Sequence, residues 1–158
     1  MSRLPQRYLH RVRRPEEVQV FVCRRGGEQF LVLHRSPEWG GYWHPASGAL
    51  EKGEGPEEAA VRELREELRL DAAGRLWPVR YEYGYAASEE PPERQAQWPQ
   101  GTERIAVTGF IVEAPSDFEP TLNEENDDYR WCTREEALAL FHWPDVGAAL
   151  EELWRQAG

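Results

Sequence analysis

Cysteine is scarce in this chain of 158 residues: Cys23 and Cys132 are the only two, and they lie too far apart to form a CxxC pair. This scarcity argues against a disulfide-stapled fold and against a zinc knuckle, and it fits a reducing compartment. Long apolar runs are absent too. No stretch approaches the ~18 residues that a membrane span needs, and no apolar segment of a signal peptide follows the basic N-terminus. We therefore expect a cytoplasmic protein that does not enter a membrane.

Positive charge is in deficit. The 29 acidic residues outnumber the 19 basic ones, which gives a formal net charge of −10. Because such a field repels nucleic-acid phosphates at long range, we do not expect the protein to bind DNA or RNA. A small anionic substrate is still compatible with this charge if metal ions neutralise the binding site locally.

The rest of the composition describes an ordinary globular protein. Apolar residues make up 40% of the chain and aromatic residues 11%, as expected for a chain that buries a core. The length suits one domain, and no repeat, low-complexity linker or internal boundary divides it. We predict a single domain over residues 1–158, in which the basic residues 1–14 form a loosely held N-terminal arm.

Extended and helical patterns alternate along the chain, which predicts an α/β or α+β sandwich. Strands are predicted over residues 19–24, Gln29–Arg35, residues 76–85, Arg104–Glu113 and residues 128–132. Gly26 and Gly27 predict a hairpin between the first two strands, and residues 86–102 read as a long loop. Helices are predicted over Pro56–Leu68, near residues 137–141 after a capping box of Thr133 and Glu136, and after Pro144.

The helix predicted at Pro56–Leu68 is unusually acidic on one side. At ~100° per residue, Glu63, Glu66 and Glu67 fall on neighbouring positions. An apolar stripe lies beside them, formed by Ala60, Val61, Leu64 and Leu68. Like charges at this spacing repel each other, so the pattern has two interpretations. It is either a solvated acidic face without a metal, or a site for divalent cations, which prefer oxygen ligands.

A wider motif favours the second interpretation. The segment GALEKGEGPEEAAVRELREELRL resembles the signature of the Nudix (MutT-like) hydrolase family: Gly, five residues, Glu, seven residues, then Arg-Glu-U-x-Glu-Glu-x-Gly-U, where U is aliphatic. The matching positions are Gly48, Glu54, Arg62, Glu63, Leu64, Glu66, Glu67 and Leu70. Eight matches at one fixed start would arise by chance on the order of 10⁻⁴ times per chain. The one departure is Arg69, where the family has a helix-ending Gly.

The resemblance implies a fold, a reaction and a metal site. The family folds as an α/β/α sandwich around a central mixed sheet and hydrolyses phosphoanhydride bonds with Mg²⁺, or alternatively Mn²⁺. By position, Glu63, Glu66 and Glu67 would bind the metal, and one of them would also polarise the attacking water. Arg62 would orient Glu63, while Glu54 and the backbone carbonyl of Ser47 would complete the site from the preceding loop.

Family members often supply one more carboxylate from a loop a few residues before a Trp. The stretch NEENDDYRW fits this description, and the spacing to Trp131 selects Glu125. The alternative is that Glu125 is one surface acid among its acidic neighbours Glu124, Asp127 and Asp128.

The features outside the motif resemble the dihydroneopterin triphosphate and dATP pyrophosphatases, and the C-terminal part also resembles diadenosine tetraphosphate hydrolases. Trp39, Tyr42 and Trp43 either stack on a base or pterin ring or pack within the protein. Arg94 and Arg104 either hold phosphate or lie on the surface. The resemblance thus implies a small nucleotide or pterin polyphosphate as the binding partner of a monomer or homodimer.

Three function hypotheses follow. The first is a metal-dependent pyrophosphohydrolase that acts on a nucleoside or pterin triphosphate, with a diadenosine polyphosphate as the alternative substrate. The second is a catalytically silent Nudix domain that senses a nucleotide. The third is an acidic interaction helix without a metal. The complete acidic set argues against the second, since a silent domain has no evident need for mutually repelling carboxylates.

Overall fold

A central strand, β1, organises the computed structural model, which describes residues 13–158. The strands are β1 (Glu16–Arg24), β2 (Gln29–Arg35), β3 (Trp43–His44), β4 (Ala46–Ala49), β5 (Tyr81–Ala86), β6 (Arg104–Glu113) and β7 (Asn126–Cys132). The helices are α1 (Pro56–Leu68), α2 (Pro92–Gln95), α3 (Arg134–Leu140) and α4 (Pro144–Ala157), and short 3₁₀ turns lie at Arg25–Gly27, Pro37–Trp39 and Ala87–Glu89.

All seven strands join in one mixed sheet with the order β3-β2-β1-β6-β5, to which β4 adds on β1 and β7 adds on β2. Only the β1–β6 pair is parallel among these pairings. Strand β4 pairs with residues 17–20 of β1, so β2 meets β1 only at Cys23 and Arg24. The two halves of β1 therefore have different antiparallel neighbours, and the segment that enters the acidic motif is fixed to the centre of the sheet.

The sheet separates two apolar cores. Because successive side chains of a strand point to opposite faces, Val20 and Val22 of β1 contribute to the core under α1, whereas Phe21 and Cys23 contribute to the core under α3 and α4. Helices thus cover both faces of the sheet. This arrangement is the predicted α/β/α sandwich, and the fold class is confirmed.

Most predicted elements are present, and their bounds are close. The helix Pro56–Leu68 and the strands Gln29–Arg35 and Arg104–Glu113 have the predicted limits, while β1 and β7 begin a few residues earlier than predicted. The hairpin at Gly26 and Gly27 forms, with both glycines at positive φ. Thr133 caps α3 through its hydroxyl, and Glu136 completes the predicted capping box.

Two predictions of secondary structure were wrong. Residues 76–80 do not continue the strand at Tyr81–Ala86, and Leu76 makes one isolated bridge to Val112. Pro78 lacks a backbone donor, which explains the interruption. The predicted loop 86–102 contains a 3₁₀ turn and α2, and it buries Trp98. The short strands β3 and β4 were not predicted.

Helix α1 ends where the family signature places its Gly, although the residue here is Arg69. Its backbone is left-handed, with φ 59° and ψ 32°. The Arg69 N–H donates to the carbonyl of Arg65 at 3.1 Å, and the Leu70 N–H donates to the carbonyl of Leu64 at 3.2 Å. The bond from Arg69 to Arg65 is the 5→1 bond of an αL helix cap, and it closes the helix. The departure from the signature therefore leaves the helix end in place.

The predicted N-terminal arm lies outside the described residues, apart from Arg13 and Arg14. The Arg13 N–H donates to the carbonyl of Gln97 at 2.6 Å. The Arg14 guanidinium donates to the carbonyls of Glu51 and Glu54 at 2.8 and 3.0 Å. Arg14 therefore ties the start of β1 to the loop of the acidic motif, and Arg13 ties it to the segment between β5 and β6. Within residues 13–158, no helix has the length and apolar character needed to cross a membrane.

Candidate metal and substrate site

Three carboxylates from two parts of the chain meet beside the sheet. Glu63 and Glu67 lie one turn apart on α1, and Glu125 lies in the loop before β7. Each offers an oxygen, and these oxygens all lie within 4.8 Å of one another. Such a set of clustered carboxylate oxygens is suited to a hard divalent cation.

Glu67 is fully buried. Its Oε2 accepts a hydrogen bond from the backbone N–H of Ser47 at 3.2 Å, and its Oε1 accepts one from Nδ2 of Asn126 at 3.3 Å. The guanidinium of Arg35 lies 3.7 Å from Oε1 of Glu67 and 3.5 Å from Oε2 of Glu125. It also donates a hydrogen bond to the Ser47 hydroxyl. Residues of β2, β4 and β7 thus fix the direction of one carboxylate on α1.

Glu63 is also nearly buried, and it lies directly over Gly48 of β4. Any Cβ atom at Gly48 would overlap the Glu63 carboxyl group, since even the more distant Oε2 would lie 2.7 Å away. On its other side, Oε1 of Glu63 accepts a hydrogen bond from Arg62 at 2.9 Å. The Gly of the signature is therefore required by the position of Glu63.

Arg62 connects the motif loop to the helix. Its Nε and one terminal nitrogen bind both oxygens of Glu54 at 2.8 and 2.9 Å, and the same terminal nitrogen donates to the carbonyl of Ala49 at 2.9 Å. The other terminal nitrogen binds Glu63 and, at 3.2 Å, Glu66. The hydrogen bond from Arg62 lowers the pKa of Glu54. This paired geometry is the orienting role that the family resemblance implies for Arg62.

The protein's own cations do not fully neutralise the cluster. Burial raises the pKa of Glu63 to about 7, and the charge of Glu125 adds to the rise. Burial and Glu125 also raise the pKa of Glu67 well above its ordinary value, although Arg35 acts in the opposite direction. A divalent cation would stabilise the ionised carboxylates, so the residues present fit the metal that the family resemblance implies.

The structure does not bring every predicted metal ligand into this cluster. Glu66 lies on α1 between the two buried carboxylates, but its side chain is 54% exposed and pairs with Arg62. Glu54 is likewise held by Arg62, outside the group of three. Ser47 is adjacent to the cluster through its N–H. Glu125, selected from the sequence through the family resemblance and its spacing to Trp131, lies next to Arg35 and the helix carboxylates rather than on an open surface.

A cleft of about 440 Å³ opens beside the carboxylates, a volume typical of sites for small ligands. Glu63, Glu66 and Glu125 line it, while Glu67 lies behind them. The residues that line the rest include Arg13, Arg94, Trp39, Tyr42, His44 and Trp143. Of the candidate substrate contacts named from the sequence, Trp39, Tyr42 and Arg94 thus line the cleft. Trp43 instead packs with the core under α3 and α4, and Arg104 is exposed beside Gly84.

Three tyrosines alternate along β5, and they do not all lie at the cleft. Tyr83 and Tyr85 line the cleft, but their hydroxyls are already used: Tyr83 donates to Gln19 at 2.6 Å and Tyr85 donates to Glu17 at 2.8 Å. Tyr81 packs in the core beneath α4. The tyrosines therefore form part of the cleft wall, with their polar ends held by β1.

Three residues of the site were missed by sequence reasoning. Arg35 ends β2, Asn126 begins β7, and His44 lies on the two-residue strand β3. Asn126 is buried, and its Oδ1 has no hydrogen-bond partner among residues 13–158. None of the three belongs to the Glu-rich motif. A polar residue next to a strongly apolar strand was the one available signal for Arg35, and it is a weak signal.

Comparisons with known proteins agree with this geometry. The family model described as NUDIX domain matches residues 13–153. An octanoyltransferase from Myxococcus xanthus is 37% identical over 133 residues, which are 84% of this chain but 31% of that longer protein. The asymmetrical bis(5'-nucleosyl)-tetraphosphatase of Sus scrofa is 32% identical over 128 residues, which cover 78% of this chain and 77% of that protein. The structure of the E. coli dihydroneopterin triphosphate pyrophosphohydrolase superposes with a TM-score of 0.75 at 22% identity, covering 93% and 99% of the two chains.

Proposed function

The chain belongs to the Nudix hydrolase family, and we propose that it is a metal-dependent pyrophosphohydrolase that cleaves a phosphoanhydride bond in a nucleoside or pterin triphosphate. One observation carries this proposal: the carboxylates of Glu63, Glu67 and Glu125 come within 4.8 Å of one another next to a ligand-sized cleft. Mutual repulsion makes such a cluster unfavourable unless a cation binds it.

Glu63, Glu67 and Glu125 would hold Mg²⁺, or Mn²⁺ in its place, with the Ser47 carbonyl as a further oxygen ligand. Glu66 would contribute from the rim of the cleft, and Arg62 and Glu54 would keep Glu63 in place. A bound divalent cation makes its water more acidic and reduces the charge on phosphate oxygens. The chain carries a net charge of −10, so local neutralisation is also what allows an anionic substrate to approach.

The attacking nucleophile in this proposal is water, without a covalent enzyme intermediate. The proton of that water must be taken by a carboxylate that faces the cleft. Glu67 is fully buried and does not line the cleft, so its role is limited to metal binding. Glu63, Glu66 and Glu125 do line it, and Glu63 is held most firmly, by Arg62 on one side and Gly48 on the other. We assign the proton acceptor to Glu63.

The remaining cleft residues suit the two ends of such a substrate. Arg94 lines the cleft, and its buried Nε has no hydrogen-bond partner among the described residues. Arg13 lies beside it, and both guanidiniums are 3.5 to 3.8 Å from the single carboxylate of Glu17. A phosphate group would supply the missing partner. Tyr42 and Trp143 offer flat apolar surfaces to a heterocycle.

A dinucleoside polyphosphate is the second candidate substrate. The relative from Sus scrofa, whose name describes a bis(5'-nucleosyl)-tetraphosphatase, shares 32% identity with this chain over most of both lengths. The structure with the TM-score of 0.75 instead has dihydroneopterin triphosphate in its name, at 22% identity. Both substrates present phosphoanhydrides and a planar ring, so the same site chemistry serves either one.

The test is hydrolysis of a panel of nucleoside triphosphates, dihydroneopterin triphosphate and diadenosine tetraphosphate with Mg²⁺, with the phosphorus products identified. We expect turnover of at least one compound, and a loss of at least ~100-fold in kcat/KM for Glu67→Gln. Glu57→Gln is the matched control, because Glu57 is exposed on the same helix and should leave kcat/KM unchanged. Equal activities of Glu67→Gln and wild type would overturn the metal site. Tight binding of a compound without turnover would favour a nucleotide sensor.

A further inference from the structure

One ring nitrogen of a buried histidine in the cleft has no hydrogen-bond partner among residues 13–158. His44 lies on β3 and is only 7% exposed. Its Nδ1 makes no hydrogen bond to any residue within 13–158, yet the residue lines the same cleft as Glu63 and Glu125. A buried polar atom without a partner is unfavourable, and natural proteins rarely retain one without a reason. A ligand in the cleft would supply the missing bond.

Aromatic rings surround this histidine. The Tyr42 ring packs edge-on against His44 with centroids 5.5 Å apart, and it also lies 5.9 Å from the Trp143 ring. The His142 ring is close to both, 5.3 Å from Tyr42 and 4.6 Å from Trp143. Tyr42 and Trp143 both line the cleft. The unpartnered nitrogen therefore belongs to an aromatic wall, which suits a flat ring rather than a phosphate.

The charge of His44 agrees with this assignment. Burial lowers the pKa of His44 well below 6.5, and the nearby cations Arg35 and Arg94, together with His142, lower it further. The ring is therefore neutral at pH 7, with one nitrogen as donor and the other as acceptor. A neutral imidazole adds little attraction for a phosphate, but it matches the donor and acceptor groups on the edge of a purine, pyrimidine or pterin.

His44 also lies at a distance from the carboxylates. Ser47, whose N–H contacts Glu67, comes three residues later along extended chain, which corresponds to roughly 10 Å. The carboxylates therefore line one part of the cleft, and His44 with its aromatic neighbours lines another. A substrate with phosphates at one end and a ring at the other would fit this polarity.

We propose that His44 is a specificity-determining residue that hydrogen-bonds the edge of the substrate's heterocycle through Nδ1, while Tyr42 and Trp143 pack against the ring. This inference rests on the proposed function, because it concerns the same cleft. The metal site alone does not predict which heterocycle is preferred. In this proposal, His44 determines that preference and does not affect binding of the phosphates.

The experiment compares kcat/KM for ATP, GTP, CTP, UTP and dihydroneopterin triphosphate in wild type, His44→Leu and His44→Gln. His44→Leu should reduce the ratio of kcat/KM between the best and the worst substrate by about 10-fold, mainly through KM. His44→Gln keeps a donor and an acceptor and should restore part of that ratio. Inorganic tripolyphosphate has no heterocycle, so its inhibition constant should be the same in all three proteins.

His34→Gln is the matched control. His34 lies on the neighbouring strand, but it pairs with Asp127 at 2.6 Å and does not line the cleft. The His34→Gln substitution should leave the ratios of kcat/KM between substrates unchanged. Equal ratios in wild type and His44→Leu, with both proteins folded by circular dichroism, would overturn the assignment of His44. So would a loss in His44→Leu that is the same for every triphosphate and for tripolyphosphate, since a structural role alone produces that result.

A different experimental result would show that the proposed function itself is wrong. If wild type hydrolyses none of the compounds, the reaction assignment is wrong, and His44 is then tested by binding alone. Adenosine, guanosine and neopterin would be titrated into the protein while the carbon-bound ring protons of His44 are followed by NMR, with His44→Leu used to assign the signal. A selective shift with one of these compounds supports the heterocycle site, and the absence of a shift with all three overturns it.

Discussion

Gly48 and Glu63 occupy adjoining space: the carboxyl group of Glu63 on α1 lies where a side chain of residue 48 on β4 would begin. The two residues are therefore linked, although one is in a strand and the other in a helix. Their separation in the signature reflects this contact. Gly48 is not at positive φ, so its role is to provide space rather than backbone freedom.

Gly48→Ala is expected to displace Glu63 from the carboxylate group while leaving the fold intact. We predict a loss of at least ~10-fold in Mg²⁺ affinity, measured by calorimetric titration, with a parallel loss of kcat/KM. Gly147→Ala is the control. Gly147 lies on α4 with its nearest neighbour, Leu138, at 3.4 Å, and its replacement should change neither quantity. Unchanged Mg²⁺ affinity in Gly48→Ala would show that Glu63 does not bind the cation.

Arg69 is expected to destabilise the protein relative to glycine, because it holds a left-handed backbone at the end of α1. We predict that Arg69→Gly raises the free energy of unfolding by about 0.5 to 1 kcal/mol in a urea titration, without a change in kcat/KM. Arg65→Gly, in the exposed interior of the same helix, should lower it by about 1 kcal/mol. Two Arg→Gly substitutions four residues apart should thus change the free energy of unfolding in opposite directions. A destabilising Arg69→Gly would contradict this reading of the helix end.

The family, the fold class and one side of the site could be predicted from the sequence. The spacing of the acidic motif predicted α1 and two of the three clustered carboxylates. It grouped Glu66 with them, although at ~100° per residue Glu66 lies ~100° around the helix from Glu67, away from the sheet. Glu67 in turn lies only ~20° from Ala60, on the edge of the apolar stripe. This offset explains why Glu67 is buried and Glu66 is exposed.

The opposite side of the site could not be predicted from spacing. Arg35, His44 and Asn126 contribute because β3 and β7 both pair with β2 near the end of α1. Strand pairing over such separations leaves no local pattern in the sequence. Glu125 was found only through the family resemblance. For Trp43 and Arg104, residue type left two alternatives open: substrate binding, or packing for Trp43 and a surface position for Arg104. Their positions outside the cleft depend on which face of a strand each side chain occupies.

The buried neutral state of His44 predicts a pH dependence of stability. Its folded pKa lies well below 6.5 because of burial and the nearby Arg35 and Arg94. The unfolded chain therefore binds a proton below pH 6.5 that the folded protein does not, so stability present above that pH is lost as the pH falls. Between pH 7 and pH 5, wild type should lose up to about 1.4 kcal/mol per pH unit relative to His44→Leu. Urea titrations of both proteins measure this difference, and a constant difference would contradict a neutral His44.

Arg94 and Arg104 provide a matched pair for the phosphate side of the cleft. Arg94 lines the cleft, and its Nε has no hydrogen-bond partner within residues 13–158, whereas Arg104 is exposed beside β5. We predict that Arg94→Gln raises KM for the preferred substrate by about 10-fold, as expected for a lost charge-assisted hydrogen bond, with a smaller effect on kcat. Arg104→Gln should leave both parameters unchanged. Equal KM values for the two variants would remove Arg94 from the substrate site.

The central claim is that Glu63, Glu67 and Glu125 jointly bind the divalent cation on which hydrolysis depends. Diffraction from crystals soaked in Mn²⁺ tests it most directly, because anomalous scattering locates the ion without assumptions about its ligands. The predicted result is a peak about 2.0 to 2.6 Å from an oxygen of each of the three carboxylates, and its loss in Glu67→Gln. The claim would be contradicted if enzyme active with Mn²⁺ showed no peak there, or if the peak persisted unchanged in Glu67→Gln.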